Sequence, residues 1–434
     1  MLNRENNEKL CRVGPSTPMG RALRRYWHPV ARSARLERDG APLRVRLLGE
    51  NFVAFRATDG RVGFFDENCP HRRASLSLAR NEGNGLRCLY HGWKFDVSGK
   101  VVEVPTELPE RRAAFAEKVP LQHYAVREAG GIVWVCIDKE GLRTPFPNFE
   151  FVDFGPGQID ARSAVIRCNW LQLLESVLDS AHLSFLHSGV LVTRPTSESP
   201  LSEGMLANMA ATTAMSSPTF EILERPYGFR EGAIRDYGDG RRFAKIREFV
   251  APYFSFLPGF PGKPTRRILV MSVPIDDTHC TQWVVNYRTD APFEPGEVED
   301  FWRFANPDPD NFLTPTSGPA DIWGQDRQAM QAGHFSGFPN RHFFEEDVVV
   351  QESMGPIVDR TREYLSQSDK TILYVRRQLL KAAEAAQRGE APWGLGAAAD
   401  IDYSRIRSCA VFLDQDENWP DIDSHRLEPR HAKA

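Results

Sequence analysis

The chain has 434 residues, room for two or three domains and a sizeable core, so it needs no disulfide staple. Hydrophobic residues make up 41% and charged residues 26%, as in soluble globular proteins, and a net charge of −4 argues against a nucleic-acid groove or a basic membrane face. No apolar run approaches the ~20 residues of a membrane span, and the opening MLNRENNEKL is too charged for a signal peptide.

Residues 1–30 read as a helical lead-in: Glu8 to Leu10, a turn through Pro15 and Pro18, then Gly20 to Trp27, with Thr17-Pro18 as cap and first helical position. From 31 to 145 the pattern changes to short alternating runs. Arg44–Leu48, Phe52–Phe55 and Val62–Phe65 flank a hairpin turn at Asp59-Gly60, Ser98-Gly99 repeats the device, and Gly131–Ile137 closes the region as a buried strand. This is a small all-β domain.

Two mixed ligand pairs lie within it. Cys69-Pro70-His71 is followed after sixteen residues by Cys88-Leu89-Tyr90-His91. Two thiolates and two imidazoles can hold a tetrahedral zinc, or a two-iron two-sulfide cluster with cysteines on one iron and histidines on the other. Gly92 would let the backbone approach a bulky cluster, and Trp93 and Phe95 would dry one side of it. The other cysteines (Cys11, Cys136, Cys168, Cys280 and Cys409) have no framework spacing, which reads as reduced thiols in a cytoplasm.

A link bearing Pro145, Pro147 and Pro156 leads into 167–187, where Leu171, Leu174, Leu178, Leu183 and Leu186 recur at helical spacing. Glu175, Asp179 and His182 form one polar stripe on this apolar element, costly to bury unless paired or bound to metal. His182 and His187 would point about 140° apart on a regular helix. Both reach one metal only if the helix widens or ends between them; otherwise they are unrelated histidines, one capping the helix end.

The two motifs together resemble those of the large (alpha) subunits of Rieske non-haem iron oxygenases. CPHR with CLYHGWKFD is similar to their cluster motif, and Asp179, His182 and His187 match the D-x-x-H-x-x-x-x-H of their mononuclear iron site. Arg12–Gly20, Arg24–Trp27 and Gln351–Arg360 resemble the phthalate dioxygenase branch, so the resemblance covers nearly the whole chain. Ser176 stands where many relatives carry Asn.

The resemblance implies a Rieske [2Fe-2S] cluster on Cys69, His71, Cys88 and His91, and a mononuclear Fe(II) on His182, His187 and a late carboxylate. By the match of the Glu345–Pro356 segment that carboxylate is Asp347, with Glu345, Glu346 and Glu352 as neighbouring acids at a helix start. Asp179 would link His182 to a cluster histidine of a neighbouring subunit, in a homotrimer or a multiple of three. Asn169 and Glu175 would flank the iron as polar support. A reductase carrying flavin and iron–sulfur, or a ferredoxin, would bring electrons from NADH to the cluster, and O2 would be activated beside an aromatic substrate. Ring hydroxylation is the expected reaction and O-demethylation of a methoxylated acid the alternative. An aromatic acid needs a buried cation, for which Arg235 and Arg194 are the candidates. Phe229, Phe254 and Phe256 could equally be pocket wall or plain core.

Alternating runs at Arg247–Val250, Arg267–Val273 and Gln282–Tyr287 predict an antiparallel sheet, with helices over it at Ile357–Leu365 and Lys370–Arg388. The expected fold class is α+β. The lead-in (1–30) and Rieske domain (31–145) precede a helix-over-sheet, helix-grip catalytic domain (146–390) and an extended surface tail (391–434). The alternatives are a Rieske electron carrier, which leaves the second ligand set unused, and a zinc-stabilised non-enzymatic protein.

Overall fold

Helices α1 (Arg4–Cys11) and α2 (Pro18–Leu23) open the chain, and Thr17 Oγ1 accepts from the Gly20 amide at 3.1 Å with Pro18 in the first turn, as its side-chain chemistry favours. The structure, a computed structural model, describes residues 2–139, 144–189, 210–213, 215–238, 240–258, 265–414 and 417–422. The lead-in is shorter than expected, because Trp27 already begins a strand.

The strands of the first domain are β1 (Trp27–Arg32), β2 (Leu43–Leu47), β3 (Glu50–Arg56), β4 (Val62–Asp66), β5 (Arg80–Glu82), β6 (Gly85–Arg87), β7 (Lys94–Asp96), β8 (Val101–Glu103), β9 (Ala125–Ala129) and β10 (Ile132–Cys136). They pair antiparallel as three small sheets, β1-β10-β9, β2-β3-β4 and β5-β6-β7-β8. Phe55, Phe65, Leu86 and Phe95 form a core under the ligand loops that also contains Cys69 and Cys88.

The second domain follows with β11 (Ile159–Ile166), α3 (Trp170–Leu178), β12 (Thr219–Arg225), β13 (Gly228–Asp236), β14 (Arg242–Val250), β15 (Phe254–Leu257), β16 (Arg266–Pro274), β17 (Cys280–Arg288), α4 (Phe343–Ser353), α5 (Lys370–Gln387) and β18 (Cys409–Leu413). The antiparallel sheet runs β11-β17-β16-β15-β14-β13-β12, with β18 beside β14. Side chains alternate across it. Phe254 and Phe256 point to one side of the sheet, where Phe149 of the connecting segment meets them at ring distances of 5.5 and 5.3 Å and Trp134 of the first domain meets Phe254 at 6.3 Å. Both are therefore core and not pocket wall. So is Phe229, which stacks on Phe249 at 4.8 Å. His28 of β1 adds a polar tie, with Nδ1 on the Tyr253 hydroxyl and Nε2 on Leu23 O at 2.8 Å.

Two expectations need correction. Ile357–Leu365 is not a helix. Only Arg360–Arg362 makes a helical turn, capped by Asp359, because Arg360 is drawn wholly inside to meet Glu175. The tail is not simply an extended surface segment either: Cys409–Leu413 pairs with Arg242–Ile246 in the sheet, and Trp419 is buried over Gly232, where a Cβ would lie 2.6 Å from its ring.

Candidate functional site

The first ligand pairs sit on two loops of the same construction. The Cys69 amide donates to Ala74 O at 2.8 Å and Arg73 N to Cys69 O at 2.9 Å; the Cys88 amide donates to Trp93 O at 2.8 Å and Gly92 N to Cys88 O at 2.9 Å. Each loop turns through a left-handed residue four positions after its cysteine, Arg73 at φ 63° and Gly92 at φ 73°. Glycine suits the second loop because a Cβ there would lie 3.0 Å from Pro105 Cγ. Arg73 holds the same conformation with Asn68 bonded to both its carbonyl and its guanidinium.

These loops sort the donors by depth. Cys69 and Cys88 are buried side by side, and burial pushes the Cys69 thiol up to about 11. His71 and His91 lie outside them with ring centres 4.4 Å apart, and His71 stacks on Trp93 at 4.3 Å. Partial burial, then the neighbouring His91, lower the His71 pKa, keeping the ring neutral and able to bind metal. His91 Nδ1 is buried without a hydrogen-bond partner among the described residues. An inner sulfur pair and an outer imidazole pair fit a two-iron cluster whose irons carry different ligands.

The second site forms where α3 stops. The helix does not continue through His182 as expected; it ends at Leu178 with Asp179 as its C-cap, and His182 opens a separate turn. Asp179 Oδ1 accepts from the Ala181 amide at 2.7 Å, redirecting the chain, and its Oδ2 lies 3.6 Å from His182 Nδ1. That break removes the angular problem of a continuous helix. His182 Nε2 and His187 Nε2 stand 3.2 and 3.3 Å from Asp347 Oδ1, which α4 delivers from its first turns. The donor atoms of His182, His187 and Asp347 lie within 4.8 Å of one another.

Burial works against charge here, yet Asp179 and then Asp347 raise the pKa of His182, and Asp347 and then Glu346 raise that of His187, which goes up to about 10. The two imidazoles in turn hold Asp347 far below the carboxylate range despite its burial. His182 Nε2, His187 Nε2 and Asp347 Oδ1 are buried with no hydrogen-bond partner among the described residues. Two imidazoles and one carboxylate around a common point fit a non-haem iron centre with positions left open.

Other expected residues fall elsewhere. Asn169 caps the opposite end of α3: its Oδ1 accepts from Leu171 N at 3.1 Å and its Nδ2 donates to Cys11 O and Asp277 O, so it fastens the helix start instead of supporting the iron. Glu175 is bound by the Arg360 and Arg376 guanidiniums at 2.7–3.1 Å, so its two oxygens are taken up by an ion cluster. Arg194 lies outside the described residues. Arg235 is fully buried, but its Nε and Nη2 are spent on the carbonyls of Thr212, Met215 and Ser180, leaving Nη1 without a partner among the described residues.

Two residues went unnoticed or unassigned in the sequence. Glu346 Oε2 accepts from His187 Nδ1 at 2.6 Å. Lys245, across from Ala233 on β14, shares a sheet face with Arg235 and Arg247, and Arg247 donates to Leu178 O at the end of α3. Lys245 is buried, and burial, then Arg235 and Arg247, push its pKa down to about 7. Its signal was alternation with Phe243 and Arg247, which places it on the inner face.

Comparisons agree with this geometry. Residues 26–124 match the family described as Rieske [2Fe-2S] domain, and residues 138–434 match the LigXa C-terminal domain family. The phthalate 4,5-dioxygenase oxygenase subunit of Pseudomonas putida is 37% identical over 98% of this chain and 95% of its own. The 3-chlorobenzoate-3,4-dioxygenase oxygenase subunit of Comamonas testosteroni is 32% identical over 98% of each, and the 5,5'-dehydrodivanillate O-demethylase oxygenase subunit of a Sphingobium species is 32% identical over 90% and 83%. The solved structure of Pseudomonas putida NdmA with caffeine shares the fold at 19% identity, TM-score 0.61, over 93% of this chain and all of its own. No helix among the described residues is long and apolar enough to cross a membrane. With a Rieske domain ahead of a LigXa-type catalytic domain and a His182–His187–Asp347 cluster suited to mononuclear iron, the chain belongs to the family of Rieske non-haem iron oxygenase alpha subunits.

Proposed function

We propose that this chain hydroxylates an aromatic carboxylic acid, with Cys69, His71, Cys88 and His91 holding the cluster and His182, His187 and Asp347 holding the iron. The observation that carries the reading is the convergence of His182 Nε2, His187 Nε2 and Asp347 Oδ1, buried and without a hydrogen-bond partner among the described residues, at the end of a broken helix. When bound, the iron supplies activation of O2 and the cluster supplies electrons drawn from an NADH-dependent reductase or a ferredoxin. Asp179 keeps His182 oriented through its other ring nitrogen. Lys245 and the Nη1 of Arg235 offer a substrate carboxylate buried cations on one face of the sheet.

Assembly as a ring of three is part of the reading. Asp179 and His182 keep 27% and 21% of their side chains exposed, with Phe185 close by in the chain and Phe335, whose ring lies 6.0 Å from that of Phe185, each 54% exposed. In the first domain Leu89 and Tyr90, beside His91, are exposed as well. These two surfaces suit contact between copies, with Asp179 of one meeting a cluster histidine of the next. A dilute monomer that keeps both metal centres but loses turnover supports this arrangement; full activity in a demonstrated monomer ends it.

O-demethylation is the second reading, favoured by the 32% identity to an O-demethylase oxygenase subunit. The deciding experiment supplies the protein with NADH, a reductase and a set of aromatic acids with and without methoxy groups. Hydroxylated product supports the first reading and formaldehyde release the second. Enzyme with full iron that oxidises no aromatic acid in the set overturns both.

A further inference from the structure

A buried carboxylate normally needs a cation or several donors. Glu346 is 2% exposed, yet among the described residues neither Lys nor Arg approaches it. Its Oε2 takes His187 Nδ1 at 2.6 Å, and its Oε1 takes the Ser336 hydroxyl. The Ser336 side chain lies in turn 3.3 Å from His334 Nδ1, which already accepts the Gly337 amide at 3.1 Å. With that nitrogen occupied as an acceptor, the single Ser336 proton is directed to Glu346. Ser336 and His334 are themselves buried.

The same turn grips the chain just beyond His187. A Cβ on Gly189 would lie 2.6 Å from His334 Cε1 and 2.8 Å from both ring nitrogens, so the imidazole rests directly on the Gly189 backbone. His187 is thus held from two directions, by a carboxylate on its ring and by a histidine against the loop that carries it.

We infer that Glu346, locked by Ser336 and His334, is a positioning residue that fixes His187 with Nε2 free toward the metal. This rests on the iron reading above. In the neutral ring that a metal requires, Nδ1–H donated to Glu346 leaves Nε2, the atom beside Asp347 Oδ1, as the nitrogen able to ligate. Asp347 and Glu346 together carry two negative charges, which a divalent metal balances. Asp179 does the corresponding work for His182 in a more exposed setting, so the two histidines are supported by different carboxylates.

The test uses the purified protein with its cluster retained, stripped of mononuclear metal and titrated with cobalt(II), whose visible bands report ligand geometry. Glu346→Ala is expected to weaken cobalt binding by about 10- to 100-fold and alter the bands. Glu346→Gln, which still accepts from Nδ1, restores most of the affinity, and Ser336→Ala shows a smaller loss with the Glu346 carboxylate intact. Cluster absorbance and thermal midpoint are read alongside, and if Glu346→Ala does not fold, Ser336→Ala carries the comparison. Binding within about threefold of wild type with unchanged bands in Glu346→Ala, or in Ser336→Ala where Glu346→Ala does not fold, overturns the inference. Wild-type protein that takes up no cobalt, or that binds it undiminished after Asp347→Ala, overturns the iron reading instead.

Discussion

Replacing Glu175 with alanine separates its two candidate roles. In the structure its carboxylate answers two buried guanidiniums, Arg360 with no side-chain exposure and Arg376 with 4%. Arg376 keeps Glu363, at 2.6 and 3.0 Å, when Glu175 is lost. Arg360 does not; it is left with Asn7 Oδ1 at 3.2 Å and Cys11 Sγ at 3.3 Å. One stranded buried charge costs about 3–5 kcal/mol, and because Arg376 is rescued the loss should stay in that range and not double. The measurement is denaturant unfolding followed by circular dichroism, with mononuclear iron content and cluster absorbance read on the folded protein. Glu175→Leu combined with Arg360→Met removes both charges and should recover most of the loss. A loss below about 1 kcal/mol, or loss of mononuclear iron at unchanged stability, would refute this account and return Glu175 to the metal site. The pH dependence has a defined sign. Arg360 and Arg376 outweigh burial and hold the Glu175 carboxyl below its ordinary 4.5, so its contribution is complete above that pH and fades as pH falls further.

His28, wholly buried, is pushed down by burial to about 4 from 6.5, so the folded form prefers the neutral ring. Its stabilisation is complete above about pH 6.5 and declines by about 3 kcal/mol as pH falls toward 4; unfolding of His28→Asn at several pH values should show a flatter dependence. Asp347→Ala should lose mononuclear iron while the cluster absorbance stays, measured as a fall from about three irons per chain to two. Lys245→Met should raise KM for an aromatic acid about tenfold or more, with little change for an uncharged analogue, since it removes one charge-assisted hydrogen bond. Gly92→Ala should reduce cluster content, because alanine strains the left-handed turn and meets Pro105; iron and sulfide analysis checks it.

The features legible in the sequence are the local ones. Each cysteine–histidine pair lies in one tight loop, so spacing along the chain translates into spacing in space. Glu175, Asp179 and His182 were visible as a polar stripe, but the end of the helix at Leu178 was not, because Leu183 and Leu186 continue the apolar rhythm past the break. Glu175 shared that stripe and was misplaced with it, since its partners stand 185 and 201 residues away. Asp347 came from likeness of motif, whereas Glu346 beside it could be assigned only once α4 had been set against a histidine 159 residues earlier. Lys245 reads as an ordinary charged residue on a strand. Only the pairing of β13 with β14, and the contact of Arg247 with Leu178, place it on the face beneath α3.

The aromatic seam joining Trp134 and Phe149 to Phe254 and Phe256, with His28 on Tyr253, fastens the two domains where they meet. A redox carrier on a hinge can shorten a transfer gap by swinging; a module riveted by interlocked rings has no such freedom. The gap an electron crosses within a single polypeptide is therefore settled at folding.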